Sequence, residues 1–464
     1  MAVPGAAKRP AAAQPRSRSP SGSPTARAAA AHSVAEEMLA TVDRESDAEK
    51  MQIVGFGEDD LNGYSLLSCF HVDRKRSLVR ASEGDNLLDR AMGSLCGMGV
   101  GDALGHPFEF QPAQDDAGPG RPRFDLSTLT FHQESNVFHL ERGQWTDDAA
   151  MGLCMADSLI CRRAFNGGDM RVRFWCWWNR GYNNAFRKDP SRSSSVGLGG
   201  NISKSLQAIT RKRAEEVSER YDAATEDAGN GSLMRLAPVP LFFHDADMCE
   251  VHDAARRSSY TTHPGIIAAE ACSLLAHLIV SALRLPAGEP MSARDFLEEA
   301  TQAYAHSSGL LGKSGWGYDE MKWLVNSSPE RPTERCWNWK SENLDIASTL
   351  RARGKRYNGY PVSAGYFGSY SLDGLAMALW AVYHTSSFDE AVTRSVNLLG
   401  DADSHGSITG QLAGAIYGYR SIHPKFLEWL NRWDDHEFAT RAVLLCHAGT
   451  AARKGAGKPS VAGA

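Results

Sequence analysis

Two pairs of closely spaced carboxylates stand at the head of two small-residue, apolar stretches. The pairs lie in Trp145-Thr146-Asp147-Asp148 and in Gly400-Asp401-Ala402-Asp403-Ser404, and the stretches that follow cover residues 149–160 and 406–419. Both stretches have the spacing of helices. Two helix N-termini, each presenting acids and a hydroxyl, would form an oxygen-only cage suited to hard divalent cations. The first amides of a helix are also free, so the same place can hold phosphate or sugar oxygens. Either cluster alone reads as an ordinary N-cap with first-turn acids. Together they point to a metal-assisted hydrolase, in which two cations orient a substrate hydroxyl or activate a water.

The rest of the composition narrows the class. A chain of 464 residues with 42% hydrophobic content can bury a large core, as one big domain with inserts. A net charge of -5 supplies no basic field for nucleic acid. The nine cysteines form no Cys-x-x-Cys pair, and most lie in apolar runs. That is the pattern of free buried thiols in a reducing, intracellular compartment. Apolar stretches around 266–285 and 375–383 carry polar breaks and fall short of a membrane span, so no membrane contact is expected. No GxxxxGK[ST] phosphate loop is present.

Between its ends the chain reads as all-α. Helices are predicted over 86–98, 149–160, 266–283, 372–384, 388–399 and 407–419, the first breaking at Gly99, Gly101 and Gly105. Strand-like alternation is confined to residues near 51–55 and 127–139. Residues 1–35, rich in Ala, Pro, Ser and Arg without an acid, read as a disordered tail or an organellar transit peptide. A cytoplasmic location is expected, or an organellar one if the tail is a transit peptide. Residues 36–85 form an N-terminal extension, 86–450 the main domain, and 451–464 a second tail. Inserts near 165–220 and 306–366 carry Trp175, Trp177, Trp178, Trp316, Trp323, Trp337 and Trp339. These are read as anchors that pack the inserts onto the core, or alternatively as walls of a cleft.

Three further pieces carry chemistry. Gly101-Asp102-Ala103-Leu104-Gly105 suggests a tight turn braced by Asp102, and Glu109 follows the apolar Phe108, where burial would tune a carboxylate. Gly229-Asn230-Gly231-Ser232, ahead of Met234 and Arg235, could turn backbone amides toward a phosphate. His263 precedes a long helix and suits a hydrogen-bonded structural role as well as a site role.

Taken in order, these pieces resemble the ADP-ribosylglycohydrolase family, which includes dinitrogenase reductase-activating glycohydrolase and the ADP-ribosyl-acceptor hydrolases. The resemblance spans about residues 88–419. It rests on Gly97 to Gly105, Trp145-Thr146-Asp147-Asp148, Gly229-Asn230-Gly231-Ser232-Leu233-Met234-Arg235, Thr262-His263-Pro264, Ser369-Tyr370-Ser371-Leu372-Asp373-Gly374 and Asn397-Leu398-Leu399-Gly400-Asp401-Ala402-Asp403-Ser404. It implies a compact orthogonal all-α fold with a dinuclear Mg²⁺ or Mn²⁺ site at converging helix N-termini. By the same resemblance Thr146, Asp147, Asp148, Asp401, Asp403 and Ser404 would ligate the metals, Ser404 standing where the family usually has Thr. Asp148, Glu109 and Asp403 would be catalytic. Gly229, Asn230, Gly231, Ser232, His263, Ser369 and Tyr370 would bind substrate, an ADP-ribosylated protein or another ADP-ribose derivative. The implied activity is removal of ADP-ribose from arginine side chains by a monomer. Serine-linked ADP-ribose, poly(ADP-ribose), an O-acetyl ester and a non-catalytic ADP-ribose-binding role are the alternatives. His405, directly after Ser404, departs from the apolar residues usual in the family.

Overall fold

The computed structural model describes residues 24–45, 61, 64–115, 118, 120–209, 217–223, 228–288, 292–357 and 359–456. In chain order the helices begin with α1 (Pro24–Glu45), α2 (Val72–Ser82), α3 (Asn86–Gly105), α4 (Asp147–Arg162), α5 (Gly167–Arg180) and α6 (Gly200–Gln207). They continue with α7 (Pro238–Phe242), α8 (Met248–Tyr260), α9 (Ile266–Leu283), α10 (Ala293–Ser307), α11 (Tyr318–Asn326) and α12 (Ile346–Arg353). The last are α13 (Ser371–Tyr383), α14 (Phe388–Val396), α15 (Ala402–Tyr417), α16 (Pro424–Asp434) and α17 (Glu437–Ala456). Two small antiparallel hairpins interrupt the helices: β1 (Arg123–Asp125) with β2 (Thr130–His132), and β3 (Arg356–Tyr357) with β4 (Tyr360–Pro361). The strand expected near 51–55 lies outside the described residues.

The predicted break after residue 98 does not occur, and α3 continues through Gly99 and Gly101 to Gly105. Its glycines serve contact between helices instead. Gly93, Gly97, Gly101 and Gly105 recur once per turn and face Gly414, Gly410, Gly406 and Ala402 of the antiparallel α15. A methyl group at any of the four would overlap the facing carbonyl oxygen, so two backbones touch where side chains normally intervene. Each interior glycine costs roughly 1 kcal/mol of helix propensity, which the close packing offsets. This seam brings the first turn of α15 against the last turn of α3.

Helix α9 fills the core beside this pair. It is long and apolar enough to cross a membrane, contrary to the sequence expectation, with a mean hydropathy of 2.0 over 18 residues. Yet 89% of it is buried inside the fold, where α8, α13 and α15 pack around it. Its apolarity is that of a central core helix.

The expected tail boundaries shift at both ends. Helix α1 starts at Pro24, so residues 24–35 are helical and not tail; residues 1–23 lie outside the described set. Alanine is the best helix former, and Ala31, Ala35, Met38, Leu39 and Val42 give α1 a buried stripe against α2 and α17. At the other end α17 runs to Ala456, past the expected boundary at 451. Three of the tryptophans behave as anchors, whereas Trp178 and Trp316 are exposed. Trp177, Trp337 and Trp339 are buried, and the indole N–H groups of Trp337 and Trp339 donate to Asp373 and to the Leu324 carbonyl, each at 2.7 Å.

Candidate active site

Asp102 organises the start of α4 from inside α3, not from a turn. Its carboxylate accepts from the backbone N–H of Thr146 at 3.0 Å, the Thr146 hydroxyl at 3.0 Å and the backbone N–H of Ala149 at 3.0 Å. These are first-turn donors that a helix leaves unpaired, so Asp102 is an N-cap supplied by a neighbouring helix. The seam places α15 alongside, and the two helix starts converge. The Thr146 hydroxyl lies 3.3 Å from Asp148 Oδ2 and 3.4 Å from Asp403 Oδ2.

Glu109 enters from the far end of α3. A short 3₁₀ turn over His106–Phe108 follows that helix and delivers Glu109 as its C-cap. One carboxylate oxygen from each of Glu109, Asp401 and Asp403 lies within 4.8 Å of the others, with all three side chains buried. Asp401 is held by Asn230, whose Nδ2 donates to Asp401 Oδ2 at 2.7 Å and to the Gly368 carbonyl at 3.1 Å. The Gly-Asn-Gly-Ser turn therefore also props a carboxylate of the acidic cluster. Asp147 turns toward Gly197, where φ is +91° and a Cβ would overlap Asp147 Oδ1, so only glycine leaves that carboxylate its room.

Six carboxylates thus share one buried basin: Asp102, Glu109, Asp147, Asp148, Asp401 and Asp403. Among the described residues, none of the six forms an ion pair with a lysine or arginine. Burial, then mutual repulsion with Asp403, holds Glu109, Asp147 and Asp148 well above the usual carboxylate range. Burial also raises Asp401 to about 7, with Asp403 adding to it, and Asp403 to about 6, with Asp102 adding to it. Asp148 Oδ1 and Glu109 Oε2 are buried without a hydrogen-bond partner. An all-oxygen donor set with orphaned, repelling carboxylates fits hard divalent cations, and this basin could hold a metal.

The basin forms one side of a cavity of about 520 Å³. Of the residues expected in the site, Glu109, Asp147, Asp148, Asp401, Asp403 and Ser404 line it, as do Gly229, Asn230, Gly231, His263 and Ser369. Thr146 lies behind them against Asp148 and Asp403. Two further expected residues do not reach the cavity. Ser232 is buried behind the wall, where its hydroxyl accepts from Ser259 at 2.9 Å. The Tyr370 ring stacks on Trp337 at 6.4 Å, while its backbone bridges to Gly229. His263 is neutral, lowered to about 3 by burial and then by Arg235, and lies against Gly231.

His405 proves structural. Its Nε2 donates to the Leu399 carbonyl at 2.8 Å, and its Nδ1 lies 3.0 Å from the Ser395 hydroxyl, so it staples α14 to α15. The sequence reading misses Phe110, Phe138, Tyr360, Tyr366 and residues 197–202, the approach to α6 and its first turn, all of which line the cavity. Only the Gly197-Leu198-Gly199-Gly200 run carried a visible signal, that of a turn.

Comparison with known proteins identifies the family. The model of the ADP-ribosylglycohydrolase family matches residues 83–452. An ADP-ribosylarginine hydrolase Tri1 from Pseudomonas putida is 28% identical over 76% of this chain and 76% of its own. The human ADP-ribosylhydrolase ARH3 is 25% identical, over 77% of this chain and 93% of its own. ADP-ribosyl-[dinitrogen reductase] glycohydrolase from Rhodospirillum rubrum is 25% identical, over 79% and 99%. A solved ADP-ribosylglycohydrolase-related protein complex superposes with a TM-score of 0.53 at 27% identity, covering 78% of this chain and 99% of that one. With the family model spanning most of its length and the convergent acidic helix starts in place, this chain belongs to the ADP-ribosylglycohydrolase family of hydrolases.

Proposed function

We propose that this protein hydrolyses the N-glycosidic bond joining ADP-ribose to an arginine side chain of a modified protein. The observation that carries the reading is the uncompensated carboxylate basin on the cavity, with Glu109, Asp401 and Asp403 oxygens within 4.8 Å of one another. The arginine linkage is favoured by the Pseudomonas putida and Serratia proteamaculans relatives, named ADP-ribosylarginine hydrolases, at 28% and 27% identity.

In this reading Thr146, Asp147, Asp148, Asp401, Asp403 and Ser404 hold two divalent cations, Mg²⁺ or Mn²⁺. Bound there, the cations would supply the positive charge that grips ribose hydroxyls and favours attack by water. The chain's own residues do the rest. Asn230 fixes the angle of the Asp401 carboxylate, and Asp102 fixes Thr146 and the first turn of α4. Gly229, Gly231 and Ser369 form a side-chain-poor wall for the body of ADP-ribose, with neutral His263 beside them. Glu109 Oε2 or Asp148 Oδ1, each unpartnered, takes a proton from the incoming water as its oxygen bonds the anomeric carbon. The carbon–nitrogen bond breaks, and the carboxyl passes the proton it took from water to the departing guanidine nitrogen.

The test is release of free ADP-ribose from arginine-modified and serine-modified proteins, with Mg²⁺, Mn²⁺ or EDTA. Metal-dependent release from the arginine substrate supports the reading. Release from the serine substrate alone would replace it with serine hydrolysis, and ADP-ribose binding without release from either would make the chain a binding protein.

A further inference from the structure

The cavity has two unlike ends, divided at Asp401. On one side Asn230 bonds that carboxylate, and the wall is glycine, backbone and His263. On the other, Tyr366 hydrogen-bonds the same carboxylate, and the wall is aromatic. Phe110 stacks on Tyr366 at 5.7 Å with 19° between the rings, Tyr360 meets Tyr366 at 4.3 Å, and Phe138 abuts Phe110 at 6.1 Å. Glu109 lies directly beside Phe110 in the chain and lines the same cavity.

Two of these rings are left open to solvent, Phe110 at 40% and Tyr360 at 39%. Exposed rings at a cavity mouth, next to a buried carboxylate oxygen without a partner, are features that folding alone does not favour. The backbone at Phe110 has φ of +66°, a left-handed conformation that a bulky residue adopts only under constraint. The constraint is a pair of hydrogen bonds to the loop that carries Asp401: Phe110 N–H to the Gly400 carbonyl at 2.9 Å, and Gly400 N–H to the Gln111 carbonyl at 3.0 Å. The ring is thereby fixed at the mouth in register with the acidic basin.

We propose that Phe110 and Tyr360, seated on the buried Tyr366, form the acceptor subsite, an aromatic cradle that stacks on the planar guanidinium of the ADP-ribosylated arginine beside Glu109. This rests on the arginine reading above and assigns the residues that choose the linkage. A guanidinium is flat, cationic and weakly hydrated, so ring faces attract it, and it can donate to a carboxylate from its edge. A serine acceptor has no planar cation to stack, and gains little from the cradle.

The experiment uses the full chain with Mn²⁺ and the variants Phe110→Ala, Tyr360→Ala and Tyr360→Phe. Either alanine should lower kcat/KM on the arginine-linked substrate about tenfold, and Tyr360→Phe, which keeps the ring, should hold it within about twofold. Inhibition by agmatine, a free alkylguanidine, should weaken in parallel in both alanine variants. Calorimetric affinity for ADP-ribose should change in none of the three. Loss of ADP-ribose affinity would overturn the subsite by assigning the rings to the nucleotide, as would unchanged arginine turnover in both alanine variants. A wild-type chain inactive on the arginine substrate would instead overturn the linkage reading itself, which separates the two failures.

Discussion

Helix α4 carries two buried acidic regions with opposite electrostatics. At its start, Asp147 and Asp148 join Asp102, Glu109, Asp401 and Asp403 with no basic partner. Further along, Asp157 accepts from Arg441 at 2.7 Å, Tyr182 at 2.7 Å and Asn183 at 2.8 Å. Arg441 also pairs with Glu437, which in turn holds Lys75 and Arg187, each at 2.8 Å. Burial pushes Glu437 upward, but Arg187, Arg441 and Lys75 outweigh it and hold the carboxyl below the usual range. Charge of one sign left unpaired in a core costs several kcal/mol, and a cation held among Glu109, Asp147, Asp148, Asp401 and Asp403 would remove that cost. The paired region belongs to the scaffold. The unpaired one is where cations fit.

The sharpest way to break that contrast is Asp403→Ala. Asp403 touches both halves of the basin, through Thr146 and through Glu109 and Asp401. ADP-ribose release should fall about 10³-fold. The metal-free variant should melt at or above the wild type, because a repelling charge is gone. Full activity, or a metal-free protein less stable than wild type, would mean that the basin is not a charge reservoir.

Arg441→Ala is the counterpart in the scaffold. Removing one partner from a buried pair leaves its carboxylates uncompensated, and unfolding by urea should show a loss of about 3–5 kcal/mol. Mn²⁺ should not restore that loss, because the cluster is not a metal site. A change under about 1 kcal/mol would place the paired region among the weak surface-type bridges.

The pH dependence of the metal-free protein separates the regions by sign. Asp401 and Asp403 are raised in the folded state, so their contribution is fully present below about pH 4 and is lost as pH rises through about 6 and 7. Glu437 is depressed, so its contribution is present above the ordinary carboxylate range and is lost as pH falls below it. Thermal melts in EDTA should therefore peak at mildly acidic pH. Mn²⁺ at a hundredfold excess over its pH 8 dissociation constant should stabilise by about 2.7 kcal/mol at pH 8, and the same concentration should stabilise by less at pH 5. An equal gain at both values would detach metal binding from these carboxylates.

How far these regions were legible in the sequence follows from how local their signals are. Asp147, Asp148, Asp401 and Asp403 were visible because acids before an apolar helical run are a short-range pattern. The run of α3 through its glycines was not visible. Glycine reads locally as a breaker, and the reason it persists lies in α15, some 300 residues away. His405 looked anomalous beside the acids because its partners, the Leu399 carbonyl and Ser395, are contacts that spacing does not announce. Phe110, Tyr360 and Tyr366 were missed for the same reason, since two chain segments about 250 residues apart build one wall. Helix α1 was hidden by composition: an alanine-rich stripe becomes worth burying only once α2 and α17 supply the surface.

Asp102 stands between the two regions and carries the smallest expected effect. It is buried among the repelling acids, and burial raises it to about 7 against the hydrogen bonds from Ala149 and Thr146. Yet its oxygens are already occupied by three donors of the α4 start, as a cap requires. Asp102→Asn keeps an oxygen for Thr146 but turns an amide toward the Ala149 N–H. The cost should be about 1 kcal/mol of stability, partly offset by the lost charge. As a cap it should cost Mn²⁺ affinity and ADP-ribose release about 10- to 100-fold, the scale of a group that orients a metal ligand without touching the metal. A loss as deep as that of Asp403→Ala would make Asp102 a ligand, and the boundary between scaffold and basin would then lie inside α3.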